Sequence, residues 1–208
     1  MLDRIMNINR IIYILPGILL ALTVHEYSHG LSAYYLGDHT AKKYGRLSLN
    51  PIKHIDPFGF FMLFIFGFGW AKPVPVNPNN FKRRKLGYFI VSISGPLSNF
   101  ILAIVLTIIL GVQTNFLVNP YLNQILLSAV YINVILGVFN LFPIPPLDGS
   151  KILMLLLPSK MENLFYKLER YSFIFLILLL YLGVIEKVLF PIVDFLVYSI
   201  LNLTVLFI

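Results

Sequence analysis

Apolar residues in this chain run in long blocks, not in the short periodic stretches of a water-soluble domain. Five blocks stand out: Ile11–Tyr35, Leu86–Val112, Ile125–Leu147, Phe173–Ile185 and Val188–Ile208. A helix that crosses a bilayer needs about 20 mostly apolar residues, so each block is expected to span. The fourth is short. It is expected to recruit Phe165–Ser172, with Lys167, Glu169 and Arg170 reaching the interface. A sixth run, Phe58–Trp70, is too short to cross. Its glycines, Gly59, Gly67 and Gly69, and its aromatic side chains predict a re-entrant or interfacial hairpin. Segments 40–57 and 71–85 are rich in Pro, Asn and Lys and read as loops. They hold short extended pieces such as Gly45–Asn50, where polar and apolar residues alternate. The expected fold is all-α and polytopic: about five transmembrane helices, a hairpin and short β pieces on the cytoplasmic side. Residues 1–208 are expected to form a single membrane-embedded domain.

Composition agrees with the block pattern. Of the 208 residues, 58% are hydrophobic and 12% charged, against about 25% charged in a soluble domain. Mean hydropathy is +0.84. Cysteine is absent. That excludes a disulfide framework, a thiol nucleophile, an iron–sulfur cluster and Cys-ligated zinc. The formal charge of +7 points to membrane topology, not to nucleic acid. Nine of the sixteen Lys and Arg residues fall between Ala41 and Lys85, and four more between Lys151 and Arg170, whereas 113–124 has no charged side chain. The positive-inside rule then places 37–85 and 151–171 in the cytoplasm and 113–124 outside. That orientation requires that 58–70 does not cross. No cleavable signal peptide is evident.

The first block contains charges that an apolar helix carries only at a cost. His25-Glu26-Tyr27-Ser28-His29 places two histidines four residues apart, so both imidazoles lie on one helix face, a turn apart. Both can reach one metal ion, and Glu26 lies close enough to act as general base. A catalytic zinc needs a third protein ligand. Tyr35 occupies the place of a third histidine six residues after His29. Glu162, Glu169 and Glu186 sit at juxtamembrane ends, and His39 and His54 in loops. The best candidate is Asp148, in Asn140-Leu-Phe-Pro-Ile-Pro-Pro-Leu-Asp-Gly149, where Pro143, Pro145 and Pro146 must break the third helix. Gly149 lets backbone pass close by. Asp148 and the histidines lie at matching depth, nearer the cytosol.

These residues resemble the site-2 protease family, peptidase family M50, of intramembrane zinc metalloproteases. The resemblance rests on H-E-Y-S-H at 25–29, S-G-P-L-S-N at 94–99 and N-L-F-P-I-P-P-L-D-G at 140–149. N-P-I-K-H-I-D-P-F-G at 50–59 and F-G-W-A-K-P-V-P-V-N-P at 68–78 resemble the compact subgroup that lacks PDZ and CBS domains. The resemblance implies one Zn2+ per chain, bound by His25, His29 and Asp148, with Glu26 as catalytic base. It implies that Asn140 holds substrate backbone or the oxyanion.

The expected activity is therefore hydrolysis of peptide bonds within or next to transmembrane segments of membrane proteins. The expected location is a prokaryotic inner membrane, with the site toward the cytoplasm. A non-proteolytic metal-binding membrane protein or transporter is the alternative. Asn99 is read either as a hydrogen-bonding support of the site or as a polar helix–helix contact beside a Gly95-Pro96 break. His54 is read as an accessory zinc contact or gate, or as a loop histidine bonded to backbone, with the last favoured. Gly45–Asn50 is the candidate strand edge for an unwound substrate.

Overall fold

The computed structural model describes residues 8–66, 69–116, 119–156 and 159–205. Helix α1 (Ile8–Tyr35) is followed by a single turn, α2 (Thr40–Lys43). Next come α3 (Pro57–Phe66), the long α4 (Arg84–Phe116) and α5 (Pro120–Asn140). The chain ends in α6 (Asp148–Leu156), α7 (Ser159–Tyr181) and α8 (Val184–Val205). Helices α1, α4 and α5 pack against one another as the central unit. The approach of α1 to α5 is close because Gly17 carries no side chain; a Cβ there would lie 2.8 Å from the Ala129 Cα. On the far side, Val193 and Val197 of α8 join Val130 and Val134 of α5 and Leu106 of α4 in one buried apolar cluster.

Three described helices are long and apolar enough to span a membrane: Ile11–Tyr35, Arg84–Thr114 and Pro120–Asn140. Arg170–Tyr181 and Val184–Asn202 meet at a 73° bend and qualify only as a pair, giving four spans at most. Among the described residues the expected five are not reached. Helix α8 carries Glu186, Lys187 and Asp194, and Gly183, at a φ of +67°, turns the chain sharply between α7 and α8. Residues 206–208, the end of the fifth expected block, lie outside the described residues.

The hairpin region returns to where it began. Ile55 bridges to Ala71, the Lys72 N–H donates to His54 O at 2.9 Å, and the Phe58 and Trp70 rings lie 5.7 Å apart. Gly67 and Phe68 lie outside the described residues. The Ile55–Ala71 bridge is isolated, and no strand forms among the described residues.

The expected β piece at Gly45–Asn50 is therefore a set of bends. Part of its backbone is committed to local turns. The Arg46 N–H closes α2 on Ala41 O at 2.8 Å, Lys53 Nζ donates to Gly45 O at 2.9 Å, and Gly45 sits at a φ of +64°. Asn50 then caps a 3-10 turn through its side chain. The stretch that does run past the polar centre is 72–77, read from the sequence only as loop.

Candidate metal centre

The helical period of α1 puts His25 and His29 on the face turned toward α4 and α5. Chain geometry then brings in the third group. Helix α5 ends at Asn140, the proline-rich turn 141–147 follows, and Asp148 opens α6. Gly149 is required there, because a Cβ would collide with the carbonyls of Leu141 and Phe142. The turn is thus folded back tightly enough to aim Asp148 at α1.

The three groups converge. His25 Nε2 and His29 Nε2 are 3.0 Å apart, and Asp148 Oδ2 lies 3.1 Å from the first and 2.9 Å from the second. All three residues are buried. The opposite ring nitrogens decide the tautomers. His25 Nδ1 faces Asn99 Oδ1 at 2.7 Å. The orientation of that amide is set by a relay: Asn99 Nδ2 donates to Ala21 O and to Asn133 Oδ1, and Asn133 Nδ2 donates to Ala129 O. Backbone carbonyls only accept, so Asn99 Oδ1 must be the acceptor for His25 Nδ1–H. His29 Nδ1 faces Val91 O at 2.7 Å, again an acceptor. Neutral imidazoles with protons on Nδ1 present bare lone pairs at Nε2.

Two such lone pairs and a carboxylate oxygen within about 3 Å repel one another unless a proton or a metal ion sits among them. Tetrahedral zinc with bonds of about 2.0–2.2 Å has ligand–ligand edges near 3.3 Å, and the observed edges fall within a few tenths of an ångström of that. His25, His29 and Asp148 are also the only metal-competent group of this kind among the described residues. The donor set fits a metal ion, and its hydrogen-bonded Nδ1 atoms are the usual outer support of histidine ligands.

A cavity of about 240 Å3 opens on this cluster and is lined by His25, Glu26, Asn140, Asp148 and Lys151, with Val74 and Tyr88 among its other walls. Glu26 is buried at its edge, and its Oε2 accepts from the Val74 N–H at 2.7 Å. Lys151 Nζ donates to Asp148 Oδ1 at 2.9 Å, leaving Oδ2 to the histidines. Asn140 lies in the wall, half-buried, with one amide hydrogen on Leu136 O. Asn99 stands directly behind His25. His54 does not join the cluster. It is buried in the loop, where Nε2 donates to Ser48 O at 2.7 Å, and it is not among the cavity's lining residues.

Several contributors carry little sequence signal. Asn133 is one more polar residue in an apolar helix, although its spacing from Asn140 hints at a shared face. Val74 acts through its backbone. Gly95 is needed because a Cβ would lie 2.5 Å from His29 Nε2 and 2.7 Å from His25 Cε1. Helix α4 is continuous through Pro96, so there is no break at Gly95-Pro96.

The comparisons with known proteins bear on the same residues. The family model "Peptidase family M50" matches 112–182, the stretch that holds Asn133, Asn140, Asp148 and Lys151. A Bacillus subtilis protein named "Putative zinc metalloprotease YwhC" is 40% identical over 188 residues, covering 88% of this chain and 86% of its own. The chain belongs to the site-2 protease family, peptidase family M50. This M50 chain is also similar to "Putative zinc metalloprotease Rip2" of Mycolicibacterium smegmatis, 29% identical over 88% of this chain and 71% of that protein. The Rip2 of Mycobacterium tuberculosis H37Rv is 28% identical over 81% and 66%, respectively. No solved structure matches the chain. The M50 chain is thus a membrane-embedded member of a metalloprotease family.

Proposed function

We propose that this M50 protein is a zinc endopeptidase that cuts within or beside transmembrane segments of other membrane proteins, with 1–208 acting as one unit. The observation that carries this reading is the meeting of two tautomer-locked Nε2 atoms with Asp148 Oδ2, beside Glu26, in a small polar cavity sunk among apolar helices. His25, His29 and Asp148 would hold one Zn2+. When bound, zinc supplies Lewis acidity, polarising a scissile carbonyl and making a water acidic near pH 7.

The protein's own groups divide the remaining work. Glu26 takes a proton from the attacking water and returns it to the leaving nitrogen, so that OH ends on the acyl carbon and H on the amine. Asn140 offers its second amide hydrogen to the substrate carbonyl. Lys151 offsets the charge of Asp148 on the side away from the histidines. A helix is about 10–12 Å across with its side chains, too wide for a 240 Å3 cavity. Substrate is therefore expected to reach Glu26 unwound.

The test is metal content and turnover in parallel. Wild type should bind about one zinc per chain, and Glu26→Gln should lose all turnover while keeping that zinc. A Glu26→Gln protein that still cuts would remove Glu26 as the base.

The distribution of Lys and Arg supports a site that opens to the cytoplasm of a prokaryotic inner membrane. Single cysteines at Lys53 and Asn77 should both react with an impermeant thiol reagent from the cytoplasmic side. Reaction from opposite sides would reverse the topology of 58–70.

A further inference from the structure

Residues 72–77, Lys-Pro-Val-Pro-Val-Asn, cross the site in an irregular, extended course. Proline fixes φ at 73 and 75, and the residues that precede Pro73, Pro75 and Pro78 are held to extended backbone. The stretch is stiff before any contact is counted. It is also tied at both ends. At Lys72, the N–H donates to His54 O at 2.9 Å and the carbonyl accepts from Arg46 Nη2 at 2.6 Å. At Asn77, the N–H donates to Asp38 Oδ2 at 2.7 Å, and Asp38 Oδ1 accepts from Asn80 Nδ2 at 2.7 Å. Asp38 is wholly buried, just beyond the end of α1. Midway between the two ties, Val74 seats its side chain against Gly30 of α1 and gives its N–H to Glu26 Oε2.

We propose that 72–77 is a strap whose Val74 amide positions the Glu26 carboxylate, with Arg46 and Asp38 as its anchors. The inference rests on the reading of Glu26 as the base. A glutamate on a helix face has three rotatable side-chain bonds. A base must sit within hydrogen-bond reach of the proton it takes, and a misplacement of about 1 Å can cost about 100-fold in rate. With Oε2 fixed by a rigid amide, Oε1 is the oxygen that exchanges the proton. Val74, Arg46 and Asp38 touch no reacting atom; they are positioning residues that act through Glu26.

The proline pattern makes the contact measurable without turnover. Only Lys72, Val74, Val76 and Asn77 have amide hydrogens between 72 and 77. Hydrogen exchange of full-length, zinc-loaded protein in detergent should show one of these four speeding up at least about tenfold in Glu26→Ala. Unchanged exchange in that peptide would overturn the contact. With fluorescein-labelled casein as the probe substrate, Val74→Pro, which deletes the N–H, should lower kcat about 10- to 100-fold with KM within about twofold and zinc retained. Val74→Ala keeps the N–H and should recover most of that loss. A folded, zinc-loaded Val74→Pro protein with full kcat would refute the strap. Should Val74→Pro fail to fold, Arg46→Gln and Asp38→Asn decide. Each should lower kcat about threefold or more at constant KM, and unchanged kcat in both would refute it. The two layers separate cleanly. If Glu26→Gln is active, the base reading fails; if Glu26→Gln is dead while Val74→Pro is fully active, only the strap fails.

Discussion

Asp148 and Asp38 are both buried acids at the ends of helical segments, and they keep opposite company. Asp38 is surrounded by donors: the Thr40 N–H and hydroxyl, the Asn77 N–H and the Asn80 amide all point at it. Burial works to raise its pKa, but these hydrogen bonds outweigh burial and hold it below the usual 3.8. Among the described residues Asp148 has one such donor, Lys151, on Oδ1, and it turns Oδ2 toward the two imidazole Nε2 atoms. The first acid is satisfied by the protein alone and acts as a clasp. The second shares its free oxygen with two imidazole nitrogens, an arrangement that a bound cation would complete. Burial of a carboxylate does not by itself mark a metal site; the polarity of the atoms facing it does.

Substitutions at the supporting amides should separate the two. Asn99→Ala removes the acceptor behind His25 Nδ1, and loss of such a support typically costs about 10- to 100-fold in metal affinity. Competition with a zinc chelator should show that drop. Asn80→Ala, the matching change at the Asp38 clasp, should leave zinc affinity unchanged. Equal weakening by both would erase the distinction between the two acids.

A smaller effect is expected at Asp38 itself. Asp38→Asn should cost on the order of 1–3 kcal/mol of stability at pH 7, as loss of hydrogen bonds to a buried charge does. The folded state binds this proton less readily than the unfolded chain, so the contribution is fully present above pH about 4 and fades as pH falls through 3.8 toward the lower folded value. The gap in Tm between wild type and Asp38→Asn should stay constant from pH 7 to about pH 5 and narrow below about pH 4. A gap that widens on acidification would contradict the donor-satisfied clasp.

The candidate metal centre is far more legible in the sequence than what surrounds it. His25, Glu26, His29 and Asp148 announce themselves because ionisable groups in apolar blocks are rare and costly, and because His at i and i+4 share a helix face. Three long helices were legible for the same reason of hydropathy. The C-terminal pair was not, since a block of apolar residues does not reveal that Gly183 bends it by 73°. Gly45–Asn50 alternates like a strand, yet Gly45, Arg46 and Ser48 give their N–H groups to local turns, and alternation over six residues cannot reveal that. The strap at 72–77 was hidden in another way: its chemistry is a backbone N–H, which every residue but proline possesses. The one trace it left is that Val74 stands between two prolines and keeps the N–H they lack.

The most direct test of the two-acid comparison is zinc per chain, measured by elemental analysis of purified wild type, Asp148→Ala and Asp38→Ala side by side. Wild type should hold about one zinc per chain, Asp148→Ala should show a clear loss, and Asp38→Ala should again hold about one. Wild-type zinc content in Asp148→Ala would contradict the assignment of Asp148 as the third ligand and, with it, the centre described above.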